Sequence, residues 1–268
     1  MNNVYIMSAN RSAIGGFGGT LKNHCPVDLG TLVAKEAIAR SGYEANEVEH
    51  AVFGNVIHTE PRDMYVSRVI ALQAGMDKAS AALTVNRLCG SGLQAIVSAS
   101  QILMLGDASV AMAGGVEVMS NGAHIVQGFR WGSRMGDGQV HDMMLGALHD
   151  PFGHGHMGIT AENISSRYQI SREMQDEFAL TSQKRAYEAI ENGAFKDQIL
   201  PIEIKTRKGI EIFEIDEHPK PETSMETLTG LRTAFKKDGV VTAGNASGIN
   251  DGASALVLAN EEKAKNGK

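Results

Sequence analysis

Positive charge, cysteine, aromatic residues and long apolar runs are all scarce in this sequence, and each scarcity excludes a class of protein. Lysine and arginine number 25 against 31 acidic residues, a net charge of −6, so no global basic field draws in nucleic acid or an anionic membrane. Neither is expected as a partner. Two cysteines, Cys25 and Cys89, in 268 residues build no disulfide framework, and they fit a reducing, cytoplasmic compartment. The amino terminus lacks a basic segment followed by an apolar one, and no run approaches the length needed to cross a bilayer. Aromatic residues make up 5% and prolines number six. Glycine, by contrast, is abundant at 30 residues, roughly 11% against a usual ~7%, and falls at element ends, where it serves tight turns and close backbone approach. With 43% apolar and 21% charged residues the chain has ordinary globular usage and length for a sizeable core.

From residue 1 to 118, short apolar runs alternate with helix-like stretches, the signature of an α/β sheet covered by helices. Val4 to Met7, Ala51 to Val56, Leu83 to Asn86 and Ser109 to Ala113 read as strands. Asp28 to Arg40, Met64 to Ala74 and Leu93 to Leu105 read as helices, each followed by a glycine. Residues 119–248 differ in texture and read as an inserted α+β subdomain. Its helix from Arg172 to Asn192 starts after Ser171 and stops at Gly193. Ile199 to Ile204 and Ile210 to Ile215 read as a hairpin across a basic turn, and a short helix is expected around Leu228 to Phe235. Ala253 to Ala259 returns to the first sheet, so residues 249–268 hold a return strand and a polar end with no closing element.

The most informative stretch is V-N-R-L-C-G-S-G-L-Q-A-I, which puts Cys89 between a strand and a helix that is apolar nearly all round. A helix of that kind is expected to be buried. Its amino end points unpaired N–H groups and the positive end of the helix dipole at Cys89. Gly90 and Gly92 leave the sulfur uncrowded, so a carbonyl can approach both the nucleophile and the donors that would hold its oxyanion. Free cysteines also serve as small buried apolar residues; the strand, glycine and helix setting favours the nucleophile. Cys25, in K-N-H-C-P, reads as structural or exposed.

The Cys89 segment resembles the nucleophile segment of the thiolases, which use this cysteine to carry an acyl group between two coenzyme A molecules. Four further segments agree in order: R-S-A-I-G-G-F-G-G, A-G-G-V-E-V-M-S at 113 to 120, H-M-G-I-T-A-E-N at 156 to 163, and V-T-A-G-N-A-S-G-I-N-D-G-A at 241 to 253. The runs F-G-N-V-I-H-T-E-P-R-D-M-Y and D-M-M-L-G-A-L-H-D-P-F further resemble bacterial β-ketothiolases and acetyl-CoA acetyltransferases. The resemblance spans the whole chain. It implies a thiolase-like layered mixed sheet covered by helices, with an inserted loop domain that binds coenzyme A.

By the same resemblance, Cys89 attacks the acyl carbonyl of a short-chain 3-ketoacyl-CoA or of acetyl-CoA. His156 and Met157 line the pantetheine and acyl pocket, Leu148 is a contact residue, and Ala243 and Ser247 lie along the pantetheine. Lys220 stands where many relatives carry arginine; it neutralises phosphate but lacks the planar fork. Coenzyme A or acyl-CoA is then a substrate and no cofactor is permanently bound. Homodimeric or tetrameric assembly is implied. The family's second core domain carries an N-E-A-F asparagine, a G-H-P histidine and a C-x-G cysteine. None of these segments occurs here, so the sequence resembles an amino-terminal domain plus loop domain, and Claisen chemistry by these residues alone is not expected.

Other signals weigh less. His149, His154 and His156 sit in a His-x-His setting, but no cysteine or carboxylate cluster completes four ligands, and no metal is expected. Arg207, Lys208, Lys236 and Lys237 suit either phosphates or solvated turns. Gly15, Gly16, Gly18 and Gly19 fail the dinucleotide fingerprint, because Leu21 sits where the third glycine belongs. C-G-S-G with His218 downstream resembles a papain-type start, without its second cysteine and tryptophan. A non-catalytic acyl-CoA binding or assembly subunit is the other alternative to a thiolase-type acyltransferase.

Overall fold

Strands covered on both faces read as continuous apolar runs, and V-A-M-A-G-G-V and H-A-V-F-G form such strands at the centre of the sheet. The computed structural model describes residues 3–132 and 134–266; residues 1, 2, 133, 267 and 268, which include both ends of the outer segments expected above, lie outside the described residues. The sheet unit runs β1 (Val4–Ser12), α1 (Pro26–Ser41), β2 (His50–Gly54), α2 (Val66–Gln73), β3 (Ala81–Val85), α3 (Ser91–Leu105) and β4 (Val110–Val118). It continues with β5 (Ile199–Leu200), β6 (Ile202–Thr206), β7 (Gly209–Phe213) and β8 (Asn250–Asn260). The strand order is β5-β1-β8-β4-β2-β3. β4, β2 and β3 pair in parallel, β8 pairs antiparallel with both β1 and β4, and β5 is parallel to β1. This is the mixed, helix-covered sheet the sequence leads one to expect.

The helices follow from local chemistry. α1 starts on Pro26 and ends at Gly42 with φ 81°, the proline-first, glycine-last arrangement that suits a helix's unpaired ends. Its buried Val27, Leu29, Val33, Ala34, Ala37 and Ile38 form one apolar stripe. α3 buries Ser91, Ala95, Ala99 and Leu103, a stripe at every fourth residue whose small members let it lie close to Val52, Ala111, Ala113 and Leu258.

That narrow stripe corrects one expectation. α3 is apolar nearly all round, yet Leu93 is 69% and Leu105 78% exposed, so its second face has no partner among the described residues. The window Leu88–Leu105 also passes the length and composition test for a membrane span, against the expectation that no run would. The helix itself has 15 residues, about 22 Å at 1.5 Å per residue, short of a ~30 Å hydrocarbon core, and one stripe of it packs on the sheet.

The chain divides into two units, Met1–Ala123 with Asp197–Ile215 and Asn250–Lys268, and His124–Lys196 with Asp216–Ile249. Residues 119–123 and 197–215, expected within the insert, therefore belong with the sheet. The cause is pairing: Arg11 and Ser12 align with Ile199 and Leu200, Arg40 Nη1 donates to the Asp197 carbonyl at 2.5 Å, and Ser120 bonds the Asp251 carboxylate. The expected helix over Leu228 to Phe235 is instead Met225–Thr229, because Ala234 N donates to Val241 O at 2.9 Å and that strand-like pairing claims the later residues. The helix Met157–Tyr168 escaped the sequence reading; its first turn holds a glycine and its N-cap is a histidine, neither a usual start signal.

Candidate active site

Cys89 lies on a five-residue turn between β3 and α3. Leu88 takes a left-handed φ of 46°, costly for a bulky residue unless its surroundings over-determine it. They do so: Leu88 N donates to Asn86 Oδ1 at 3.0 Å, and Ser91 donates to Leu88 O through both its Oγ at 2.7 Å and its amide at 2.9 Å. Ser91 Oγ in turn accepts from Arg87 N at 2.8 Å. Cys89 is left at the apex, one residue before the N-cap Gly90. It is exposed, whereas the sequence reading expected the helix behind it to be buried; the difference comes from the uncovered face of α3. The amides of Cys89, Gly92 and Leu93 find no backbone acceptor among the described residues, so donors at the amino end of α3 remain open in the segment that carries Cys89.

The start of α3 sits directly on the strand ends. A Cβ at Gly54 would come within 2.7 Å of Ser91 Cβ and 2.8 Å of its carbonyl carbon, so only glycine allows this approach. Beneath lies a polar cluster the sequence reading did not single out, although both its members fall inside the segments that carry the family resemblance. Glu117 of β4 accepts from Asn55 Nδ2 at 2.9 Å, Val56 N at 3.0 Å and Ile57 N at 2.9 Å. Burial pushes the Glu117 carboxyl up to about 7; the two amides oppose that rise and the charge of Asp63 adds to it.

The sign of the resulting pH effect follows. With a folded value near 7 and an ordinary unfolded one, the folded state holds a proton between pH 4.5 and 7 that the unfolded chain has released. This contribution is fully present below pH 4.5 and is lost as pH rises through 7, amounting to about 3 kcal/mol. Urea unfolding should show the chain weakening from pH 5 to 8, with Glu117→Gln removing most of that decline. An equal decline in the variant would place its origin elsewhere.

Cys25 is built differently. It is the N-cap of α1, its Sγ donates to Asp28 Oδ2 at 2.9 Å and accepts from Arg62 Nη2 at 3.0 Å. Burial, followed by the Asp28 hydrogen bond, raises its thiol to about 11. Since the thiolate is the reactive form, iodoacetamide at pH 8 should label Cys25 at least about 30-fold more slowly than Cys89. Peptide mapping of a time course reads this out, and comparable labelling of both thiols would contradict it.

Within the second unit, three of the expected site residues meet. Met157 N donates to Leu148 O at 2.8 Å, and His149 pairs with His156 across a two-residue ladder. The His156 ring stacks on Phe235, with centroids 4.8 Å apart and planes at 19°, and meets the His149 ring edge-on at 5.0 Å. His156 Nδ1 accepts from Gly158 N at 3.0 Å, capping the Met157–Tyr168 helix. That role assigns the neutral ring's proton to Nε2. Burial, then the neighbouring His149, lowers the His156 pKa, which favours this neutral form. Met157 also lines a cleft of about 450 Å³ with Thr160, Ala161 and Ile164.

Lys220 and Ala243 line a second cleft of about 340 Å³, together with His218, Thr227, Leu228 and Leu231. Its wall is braced by a network around the buried Asp176: Arg172 Nε donates to Asp176 Oδ2 at 2.7 Å, Asn245 Nδ2 to Asp176 Oδ1 at 2.9 Å, and Arg172 Nη2 to Leu228 O at 2.6 Å. Ser247 is exposed, with its Oγ donating to Gly248 O at 3.1 Å. Among the described residues no group of three or more His, Cys, Asp or Glu is arranged to hold a metal ion. Arg207 and Lys208 are exposed at the β6–β7 turn, and Lys236 and Lys237 are exposed as well.

Comparison with known proteins adds a separate line. Residues 4–262 match the family described as thiolase, N-terminal domain. The chain is 54% identical over 263 residues to the β-ketothiolase BktB of Cupriavidus necator, covering 98% of this chain and 67% of that protein. Among solved structures, the Bacillus anthracis acetyl-CoA acetyltransferase superposes with a TM-score of 0.95 at 47% identity, over 99% of this chain and 67% of that one. Human mitochondrial 3-ketoacyl-CoA thiolase in complex with CoA does so with a TM-score of 0.95 at 38% identity, over 99% and 66%. The chain thus spans about two thirds of the length of these relatives.

Proposed function

Since the chain belongs to the thiolase family, we propose that it carries the acyl-accepting half of a thiolase-type acyltransferase, with Cys89 as the nucleophile. The observation that carries this reading is the exposed Cys89 apex beside unpaired helix-end amides. Cys89 Sγ attacks the thioester or keto carbonyl of acetyl-CoA or a short-chain 3-ketoacyl-CoA, and the Cys89 N–H holds the oxyanion of the tetrahedral adduct. Collapse breaks the bond to the leaving group. With acetyl-CoA that group is the coenzyme A thiolate, which takes up a proton as acyl-Cys89 remains.

In this reading His156, Met157 and Leu148 wall the pantetheine and acyl groups, Ala243 and Ser247 lie along the pantetheine, and Lys220 meets a phosphate. The cleft that Lys220 and Ala243 share supports this assignment. Thiolysis and Claisen condensation also need a base for the α-proton and a second oxyanion site. The 268 residues contain no N-E-A-F, G-H-P or C-x-G segment to supply them, so this chain by itself does not complete the cycle. Assembly as a homodimer or tetramer belongs to the same reading; the outer edge of β3, which pairs with no further strand among the described residues, supports it.

The test is incubation with acetyl-CoA followed by peptide mass spectrometry, with one acetyl group expected on Cys89. A chain that binds acetyl-CoA without becoming acetylated would instead be a binding or assembly subunit, the alternative favoured by the missing acid and base segments.

A further inference from the structure

The turn that carries Cys89 leaves β3 at Val85 and enters α3 at Ser91, and both ends rest on the same two residues. Asn55 N donates to Val85 O at 3.2 Å, while Gly54 lies against Ser91 so closely that a Cβ there would fall 2.7 Å from the serine Cβ. Gly54 and Asn55 are in turn held from β4. Glu117 accepts from Asn55 Nδ2, Val56 N and Ile57 N, and Asn55 Nδ2 also donates to Val116 O at 2.9 Å. We propose that Glu117 and Asn55 are positioning residues for the Cys89 nucleophile, fixing the strand-end platform that sets the Cys89 sulfur and amide for acyl transfer.

Stability alone does not account for the cluster. Asn55 Oδ1 and the nearby Asp63 Oδ1 are buried with no protein hydrogen-bond partner among the described residues, and a half-satisfied buried network costs more than an apolar filling of the same space. Such local cost is characteristic of places where geometry matters more than stability. Leu88 in its left-handed conformation is a second strained point in the same structure, and it persists only while both ends of the turn are held.

This inference rests on the acyl-transfer reading above, and two reactions of Cys89 separate the two. Alkylation by iodoacetamide requires only an accessible sulfur. Acetylation by acetyl-CoA requires in addition that the carbonyl oxygen reach the amide. In the 268-residue chain, Glu117→Ala and Asn55→Ala should slow acetylation by about 10- to 100-fold, the cost of displacing a reacting group by ~1 Å, with alkylation changed less than about twofold. Glu117→Gln keeps an acceptor oxygen for Asn55 and Ile57 and should restore acetylation to within about threefold of the parent chain. Equal slowing of both reactions, or acetylation of Asn55→Ala at the parent rate, overturns the positioning role even if Glu117→Ala does not fold. A parent chain that is alkylated at Cys89 but never acetylated overturns the acyl-transfer reading and this inference together.

Discussion

Cys89→Ala is expected to abolish acetyl transfer from acetyl-CoA to the chain, at least ~10³-fold below the parent rate, because in the proposed reaction the exposed Cys89 thiol is the acyl acceptor. The remaining thiol, Cys25, is held between Asp28 and Arg62 with its pKa raised to about 11, so it is a poor substitute at neutral pH. Circular dichroism should leave Cys89→Ala indistinguishable from the parent, since the side chain is exposed. Acetylation that persists in Cys89→Ala would mean that the acyl acceptor lies elsewhere and that the helix-end amides serve another purpose.

Multiple turnover should be absent even where acetylation is not. A positioned base or acid contributes typically ~10²–10⁴-fold and an oxyanion donor ~10²–10³-fold, so without those groups the condensation rate is expected to fall by at least ~10⁴-fold. With acetoacetyl-CoA and coenzyme A, the 268-residue chain should give no steady thiolysis, while acetyl-CoA should label Cys89 to one equivalent and stop. Sustained turnover by the purified chain at ordinary enzyme rates would show that these residues hold an acid and base that the sequence does not reveal. His156, with its proton on Nε2, would then be the first residue to replace.

Most of the sheet was legible from the sequence, since continuous apolar runs such as residues 110–116 report a strand covered on both sides wherever they occur. The carboxyl end of α1 was legible for a similarly local reason, since Gly42 acts within one turn of the chain, whereas the helix starts at Pro26 and not at the expected Asp28. The small strand β5 was misplaced because two residues carry no periodicity, and only their alignment with Arg11 and Ser12 assigns them to the sheet. The Met157–Tyr168 helix was missed because its cap is an imidazole, a donor–acceptor that propensity rules do not weigh.

For the site, the sequence by itself determined which residue types stand together along the chain: a cysteine after a strand, small residues around it, and a helix to follow. Those are nearest-neighbour facts, and they mark where the chain turns; the left-handed Leu88 is held there by local bonds from Asn86 and Ser91 and, at the two ends of the turn, by Asn55 and Gly54 from a distant strand end. What only the tertiary structure decided is that Cys89 is exposed, that one stripe of α3 packs while the other stays open, and that Glu117, 28 positions from Cys89 in sequence, bonds the chain at the strand end that the Cys89 turn rests on. Burial and hydrogen bonding between distant strands depend on how the sheet registers its edges, and no local pattern of residues encodes a distance through space.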